Sequence, residues 1–155
     1  MKYNKAYEGE SFEKYMEYLD SIKEKLPKDV FGFVSDPGRH DFSEQSLHDA
    51  WLKSFNCSSN FELGSTGITL VLTSADLTRE FKFSFQGVSR FRISQQMPDM
   101  YRDLITYEIG IEPDCNEAEQ MVFRAIFAGD DNGIEIYSEQ IDINECIKKK
   151  SVSTA

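Results

Sequence analysis

The sequence predicts an α+β fold: an N-terminal amphipathic helix packed on a largely antiparallel, strongly curved sheet that forms a partial barrel or a sandwich. Three observations predict it. Apolar residues recur at helical spacing between Ser11 and Leu26, and from Trp51 onward the recurring period is two. The connections between the two-residue runs are short and rich in Gly, Asp and Asn. A chain of 155 residues with 40% hydrophobic content, 12 Phe and 7 Tyr can close one core without covalent staples. With no repeat or linker in view, one domain is expected over residues 1–147, and residues 148–155 read as a disordered polar tail.

In chain order, Phe12, Tyr15, Met16, Leu19, Ile22 and Leu26 fall on one helical stripe. Ser11 stands where a cap can accept from free backbone N–H groups, and Pro27 stands where a helix must stop. Residues 30–34 read as a short strand, with Phe31 and Phe33 on one side. Asp36-Pro37-Gly38 reads as a type II turn, and 39–46 as a loop. A strand is predicted over 51–58, and a break at Gly64-Ser65-Thr66-Gly67. Two clean alternations follow, Ile68/Leu70/Leu72 and Phe81/Phe83/Phe85, joined by a hairpin loop at 74–78. At Gly87 the apolar parity changes, which predicts a bulge or a turn into a new strand. Residues 94–103 lose all alternation and read as a loop.

The last third reads as a meander. Ile105, Tyr107, Ile109 and Ile111 alternate, and Pro113-Asp114 turns the chain. Residues 121–128 are apolar on both sides apart from Arg124, as in a central strand covered on both faces. Residues 129–133 end in Asn-Gly, a hairpin signal. Ile134 and Ile136 then differ in parity from Ile141 and Ile143, which requires a bend or bulge between Tyr137 and Gln140. The count is roughly seven to nine strands.

The net charge of −10 excludes an electrostatic grip on nucleic acid or on an anionic membrane, which needs clustered Lys and Arg. It suits solubility, and it suits a basic protein partner. The three cysteines, Cys57, Cys115 and Cys146, are odd in number, widely spaced and without a C-x-x-C motif. That pattern fits free thiols in a reducing compartment, with a Cys57–Cys146 pair left open. No apolar core follows Lys2 and Lys5, and no apolar run approaches the roughly 18 residues of a membrane span. The protein is therefore expected in the cytoplasm.

The most chemical-looking residues are the pairs His40-Asp41 and His48-Asp49, with the single tryptophan, Trp51, close behind. Imidazole beside carboxylate can hold a metal or exchange a proton. Two histidines are the whole supply, so a metal site needs a distant Asp, Glu or Cys; neither a metal nor a cofactor is expected. The commoner role of such residues is to bond backbone groups where a strand begins. No G-x-S-x-G is present, Gly64–Gly67 lacks the lysine of a phosphate loop, and the cysteines have no adjacent base, so no catalytic residue is assigned. His40, Asp41, His48, Asp49 and Trp51 remain as candidate ligand contacts. Asp114, Glu117 and Glu119 on one turn, with Asp130, Asp131 and Glu135 near another, would form one acidic docking patch if the two turns are neighbours.

Leu47-His48-Asp49-Ala50-Trp51-Leu52, the segment Phe85-Gln86-Gly87-Val88 and the late strands resemble a loose group of small bacterial proteins of unknown function. These carry an LHD-S/A-x-L segment, with Ser more often where Ala50 stands. Some of them look like immunity proteins of polymorphic toxin systems. The resemblance spans roughly residues 30–143, where the sheet periodicity lies. It implies an α+β fold and no enzymatic activity, and it supplies no catalytic residues. Three functional readings follow: a non-enzymatic binding protein, as an immunity-type antagonist of a basic toxin or effector; a small-ligand binder with a pocket between helix and sheet; and, third, a metal-dependent hydrolase.

Overall fold

The computed structural model describes residues 1–94, 102–129 and 132–148. Six antiparallel strands form one open sheet: β1 (Trp51–Asn60), β2 (Ser65–Thr73), β3 (Arg79–Ser94), β4 (Leu104–Pro113), β5 (Glu119–Phe127) and β6 (Gly133–Ile147). Their order is β1-β2-β3-β6-β5-β4, so β1 and β4 are the outer strands. Ahead of them lie α1 (Phe12–Ile22) and α2 (Lys28–Val34), with short 3-10 turns at Ala6–Glu8, Lys23–Lys25 and Pro37–Arg39. No helix among the described residues is long and apolar enough to cross a membrane.

Helix α1 forms where its stripe predicts. The Ser11 hydroxyl accepts from the Glu13 N–H at 3.2 Å, and Tyr15, Leu19 and Ile22 are buried. Leu26 leaves helical geometry one residue before Pro27, as the proline ring requires. Pro27 does not end the helical region, however. It stands at the cap of α2, so the strand expected at 30–34 is a helix instead. Val30 and Val34 are its buried residues, four apart on one face, and that spacing outweighs the alternation of Phe31 and Phe33.

Asp36-Pro37-Gly38 also departs from expectation. It opens a 3-10 turn, not a type II turn, with the Asp36 carboxylate accepting from the Gly38 N–H at 2.9 Å.

The predicted hairpins are present. Phe81, Phe83 and Phe85 pair with Leu72, Leu70 and Ile68, and all six are buried. The break before β2 falls at 61–64, and Ser65 already belongs to the strand. Strand β5 is interior, pairing with β4 on one side and β6 on the other. The described residues form six strands, fewer than the parity changes suggested, because β3 and β6 run unbroken for 16 and 15 residues. The phase change at Gly87 is a bulge inside β3: the register against β6 shifts between Val88 and Arg90, and Gly87 has φ +61°. Of the loop expected at 94–103, Ser94 ends β3 and residues 95–101 lie outside the described residues, as do Asp130 and Asp131. Lys148, assigned to the tail, donates its N–H to Thr78 O at 2.7 Å; residues 149–155 also lie outside the described residues.

One core cluster joins α1, α2 and the strands, among them Tyr15, Leu19, Val30, Val34, Phe81, Phe83 and Phe123. The edge of β4 is closed by side chains from the N-terminal region. The Tyr15 hydroxyl bonds both backbone groups of Ile109, the Tyr18 hydroxyl accepts from the Ile111 N–H at 3.0 Å, and Asn4 donates to Tyr107 O at 3.1 Å.

Candidate functional site

The stretch 47–52 is a clasp between the two outer strands. The Asp49 N–H donates to Leu104 O at 2.9 Å, and the Leu104 N–H donates to Ala50 O at 2.9 Å. Thus the chain just ahead of β1 bonds the first residue of β4, at the other edge of the sheet. Asp49 takes φ +61° to do so, a conformation in which Asp is among the less strained residues. The Trp51 indole donates to the Asp103 carboxylate at 3.1 Å, and the Arg102 guanidinium lies 5.5 Å from its ring. Asp49 and Trp51 therefore work in the scaffold.

Beside the clasp opens a pocket of about 340 Å³. Asn4 and, from β4, Leu104 and Tyr107 are buried in its wall; Ala6, Tyr7, Phe42 and Ile105 are exposed at it. Phe12 of α1, His40, Asp41 and His48 complete the wall. Three of the sequence candidates, His40, Asp41 and His48, thus meet at one pocket between the helical region and the sheet. A second hollow of about 240 Å³ shares Phe42 and His48 with the first, and is lined by Glu44, Asp49 and Asp76. The Phe42 and His48 rings, 4.3 Å apart, stand between the apolar pocket and the acidic one.

His40 is built into the wall. Its Nε2 lies 2.8 Å from Val34 O, which makes that nitrogen a donor, and its ring stacks on Tyr107 at 4.5 Å. Burial lowers its pKa to about 4, against the weaker raising effects of Val34 O, Asp36 and Asp41. It is neutral at neutral pH, and the nitrogen that bonds Val34 is unavailable as a base. The Asp41 carboxylate accepts from the Ser43 N–H at 2.8 Å, and the hydrogen bonds of Ser43 lower its pKa. His48 Nδ1 lies 3.1 Å from Asp49 Oδ1 but makes no hydrogen bond, because the two atoms are close without being aligned. Tyr107 carries a buried hydroxyl with no partner among the described residues. Among those residues no three His, Cys, Asp or Glu side chains are grouped as metal ligands. The three cysteines are exposed and unpaired.

Of the residues expected to form an acidic docking patch, Asp130 and Asp131 lie outside the described residues, and the other four are each engaged locally. Asp114 is engaged in its own turn, accepting from the Asn116 and Ala118 N–H groups at 2.7 and 2.9 Å. Glu117 sits in that turn at φ +63°, and Glu119 pairs with Lys25. Glu135 is in β6, 2.6 Å from the Arg124 Nε.

Arg124 leads to a cluster that the sequence reading left unrecognised. Its guanidinium also bonds Glu108 at 3.1 Å, Glu112 at 2.9 Å through two nitrogens, and the Tyr137 hydroxyl at 2.8 Å. Glu108 is fully buried, and its carboxylate accepts from the backbone N–H groups of Lys2, Tyr3 and Asn4 at 2.7–2.9 Å. Burial acts to raise the Glu112 pKa, but the hydrogen bonds and charge of Arg124 outweigh it and hold that carboxyl at about 2. Every donor here is saturated by protein, so the cluster fastens the N-terminal segment to the sheet. A lone arginine in an apolar strand, with glutamates on both neighbouring strands, was the available signal.

No protein-family model matches the chain, and no curated protein matches it at a significant level.

Proposed function

We propose that the protein is a non-enzymatic cytoplasmic binding protein, and that it docks a basic protein partner whose apolar side chain enters the pocket beside Phe42. The observation that carries this reading is the juxtaposition at Phe42 and His48: an apolar pocket with exposed aromatic rims on one side, an acidic hollow on the other. Phe42 is 84% exposed, a costly placement for a phenylalanine that no described residue covers. Interfaces draw most of their binding energy from an apolar or aromatic anchor seated in such a pocket. The net charge of −10 would speed the approach of a basic partner and make binding salt-sensitive. An immunity-type antagonist of a basic toxin or effector is the form of this reading that the resemblance implies.

The test is selection from a displayed peptide library. Winning peptides should carry an apolar residue flanked by Lys or Arg, bind more weakly at raised salt, and lose at least tenfold in affinity against Phe42→Ala, a step of about 1.4 kcal/mol. Winners that ignore Phe42→Ala and the pocket-filling Ala6→Phe would overturn the reading.

The pocket volume favours a second reading, a small-molecule site, since such sites begin near about 300 Å³. A metabolite that raises the melting temperature of the parent protein but not of Ala6→Phe would establish it. No shift with any compound would remove it.

A further inference from the structure

We propose that the outer edge of β1 is a dimerisation edge, pairing antiparallel with the same edge of a second copy of this chain. The two outer strands are treated differently. Asn4, Tyr15 and Tyr18 occupy the edge of β4. No described residue outside β2 makes a backbone hydrogen bond to β1 between Leu52 and Asn60, and residues 56–60 are all exposed. Such an edge, whose outward N–H and C=O groups no described residue pairs, is a template for another strand. Lys53 is the only charge along β1, and no proline interrupts it.

The distribution of side chains selects a second copy as the occupant. The β1–β2 hairpin, residues 51–73, contains one cation, Lys53, and one anion, Glu62, so it is neutral in a chain of −10 and offers a basic strand little attraction. Lys53 lies near the start of β1 and Glu62 just past its end. Antiparallel pairing across a two-fold axis therefore brings each copy's Lys53 toward the other's Glu62, twice over. The same axis brings Phe61, 95% exposed, and Leu63, 77% exposed, at the tip of one hairpin toward Trp51 and Leu52 of the other. The centre of the pair falls near Asn56 and Cys57, which are exposed and uncharged.

Sedimentation of the full chain tests this. The weight-average mass should rise toward twice the chain mass with concentration. Asn56→Glu, which sets like charges against each other at the axis, should raise the dimer dissociation constant at least tenfold. Glu62→Lys should raise it by a smaller factor, and both variants should keep the parent circular dichroism, and its melting temperature at concentrations where the parent is a monomer. Under mild oxidation, a variant retaining only Cys57 should form the disulfide dimer faster than variants retaining only Cys115 or only Cys146. A mass that stays at one chain at every concentration overturns the proposal, as does a dimer indifferent to Asn56→Glu or cross-linked equally well through the other cysteines. A monomer whose peptide binding is lost in Asn56→Glu would instead make β1 the seat of a partner's strand, which also overturns it.

Discussion

The Tyr15 hydroxyl donates to Ile109 O at 2.9 Å and accepts from Ile109 N–H at 2.8 Å, taking the place that a neighbouring strand would occupy. Burial holds its phenol well above the ordinary value, so it keeps the proton it donates. Tyr15→Phe leaves two buried backbone groups without partners and should cost ~1–3 kcal/mol in urea unfolding. Tyr107→Phe is the contrast: it removes a buried hydroxyl that has no partner among the described residues, and should be neutral or slightly stabilising. Equal losses in the two variants would mean that the edge bonds contribute nothing.

Arg124 is opposed by Glu108, Glu112 and Glu135. Arg124→Met would strand these carboxylates, one of them fully buried, and should destabilise the protein by ~3–5 kcal/mol. Its hydrogen-exchange signature should be loss of protection at the N–H groups of Lys2, Tyr3 and Asn4, whose acceptor Glu108 loses its counter-charge. Unchanged exchange there would show that Glu108 holds the segment without Arg124.

His40 sets a pH dependence. Its folded pKa of about 4 lies below the ordinary 6.5, so between these values the unfolded chain binds a proton that the folded chain does not. Stability is then full above pH 6.5 and falls as pH drops toward 4, by up to ~3 kcal/mol. Glu112, held at about 2, adds its loss only below its ordinary value of 4.5, as pH falls toward 2. Between pH 6.5 and 4.5 the decline should flatten in His40→Phe. An equally steep decline in that variant would assign the effect to another group.

Two glycines should respond in opposite directions to alanine. At Gly110 a Cβ would stand 2.6 Å from Tyr3 Cε2 and 2.9 Å from the Tyr18 hydroxyl, so Gly110→Ala must displace the Tyr3–Tyr18 stack and should cost ~1–3 kcal/mol. At Gly32, within α2, a Cβ meets nothing within 4 Å, and Gly32→Ala should stabilise by ~0.5–1 kcal/mol. Melting curves of the pair decide it; a loss at Gly32 would argue against helix at that position.

The elements legible in the sequence were those whose period could be counted over several repeats. The α1 stripe and the alternations at 68–72 and 81–85 belong there. Residues 30–34 were not, because five residues span little more than one helical turn and two strand periods, and Phe31, Gly32 and Phe33 imitate alternation. The change of parity at Gly87 correctly marked a bulge but inflated the strand count, since one extra residue reverses facing without ending the strand. At the site, His40, Asp41 and His48 were legible because imidazoles are rare in this chain. Tyr107, Leu104 and Phe12 were not: their spacing assigns them to the core, and only tertiary folding turns part of that core outward at the pocket.

The carboxylate of Glu108 holds the N–H groups of Lys2, Tyr3 and Asn4, partners 104 to 106 positions apart in the chain. A ribosome adding about 5–20 residues per second leaves those first residues without their acceptor for several seconds at least. The Tyr15 and Tyr18 hydroxyls wait nearly as long for Ile109 and Ile111. The segment Lys2–Asn4 is thus locked long after it is made, and a nascent protein must carry α1 with its apolar face undocked until β4 has emerged.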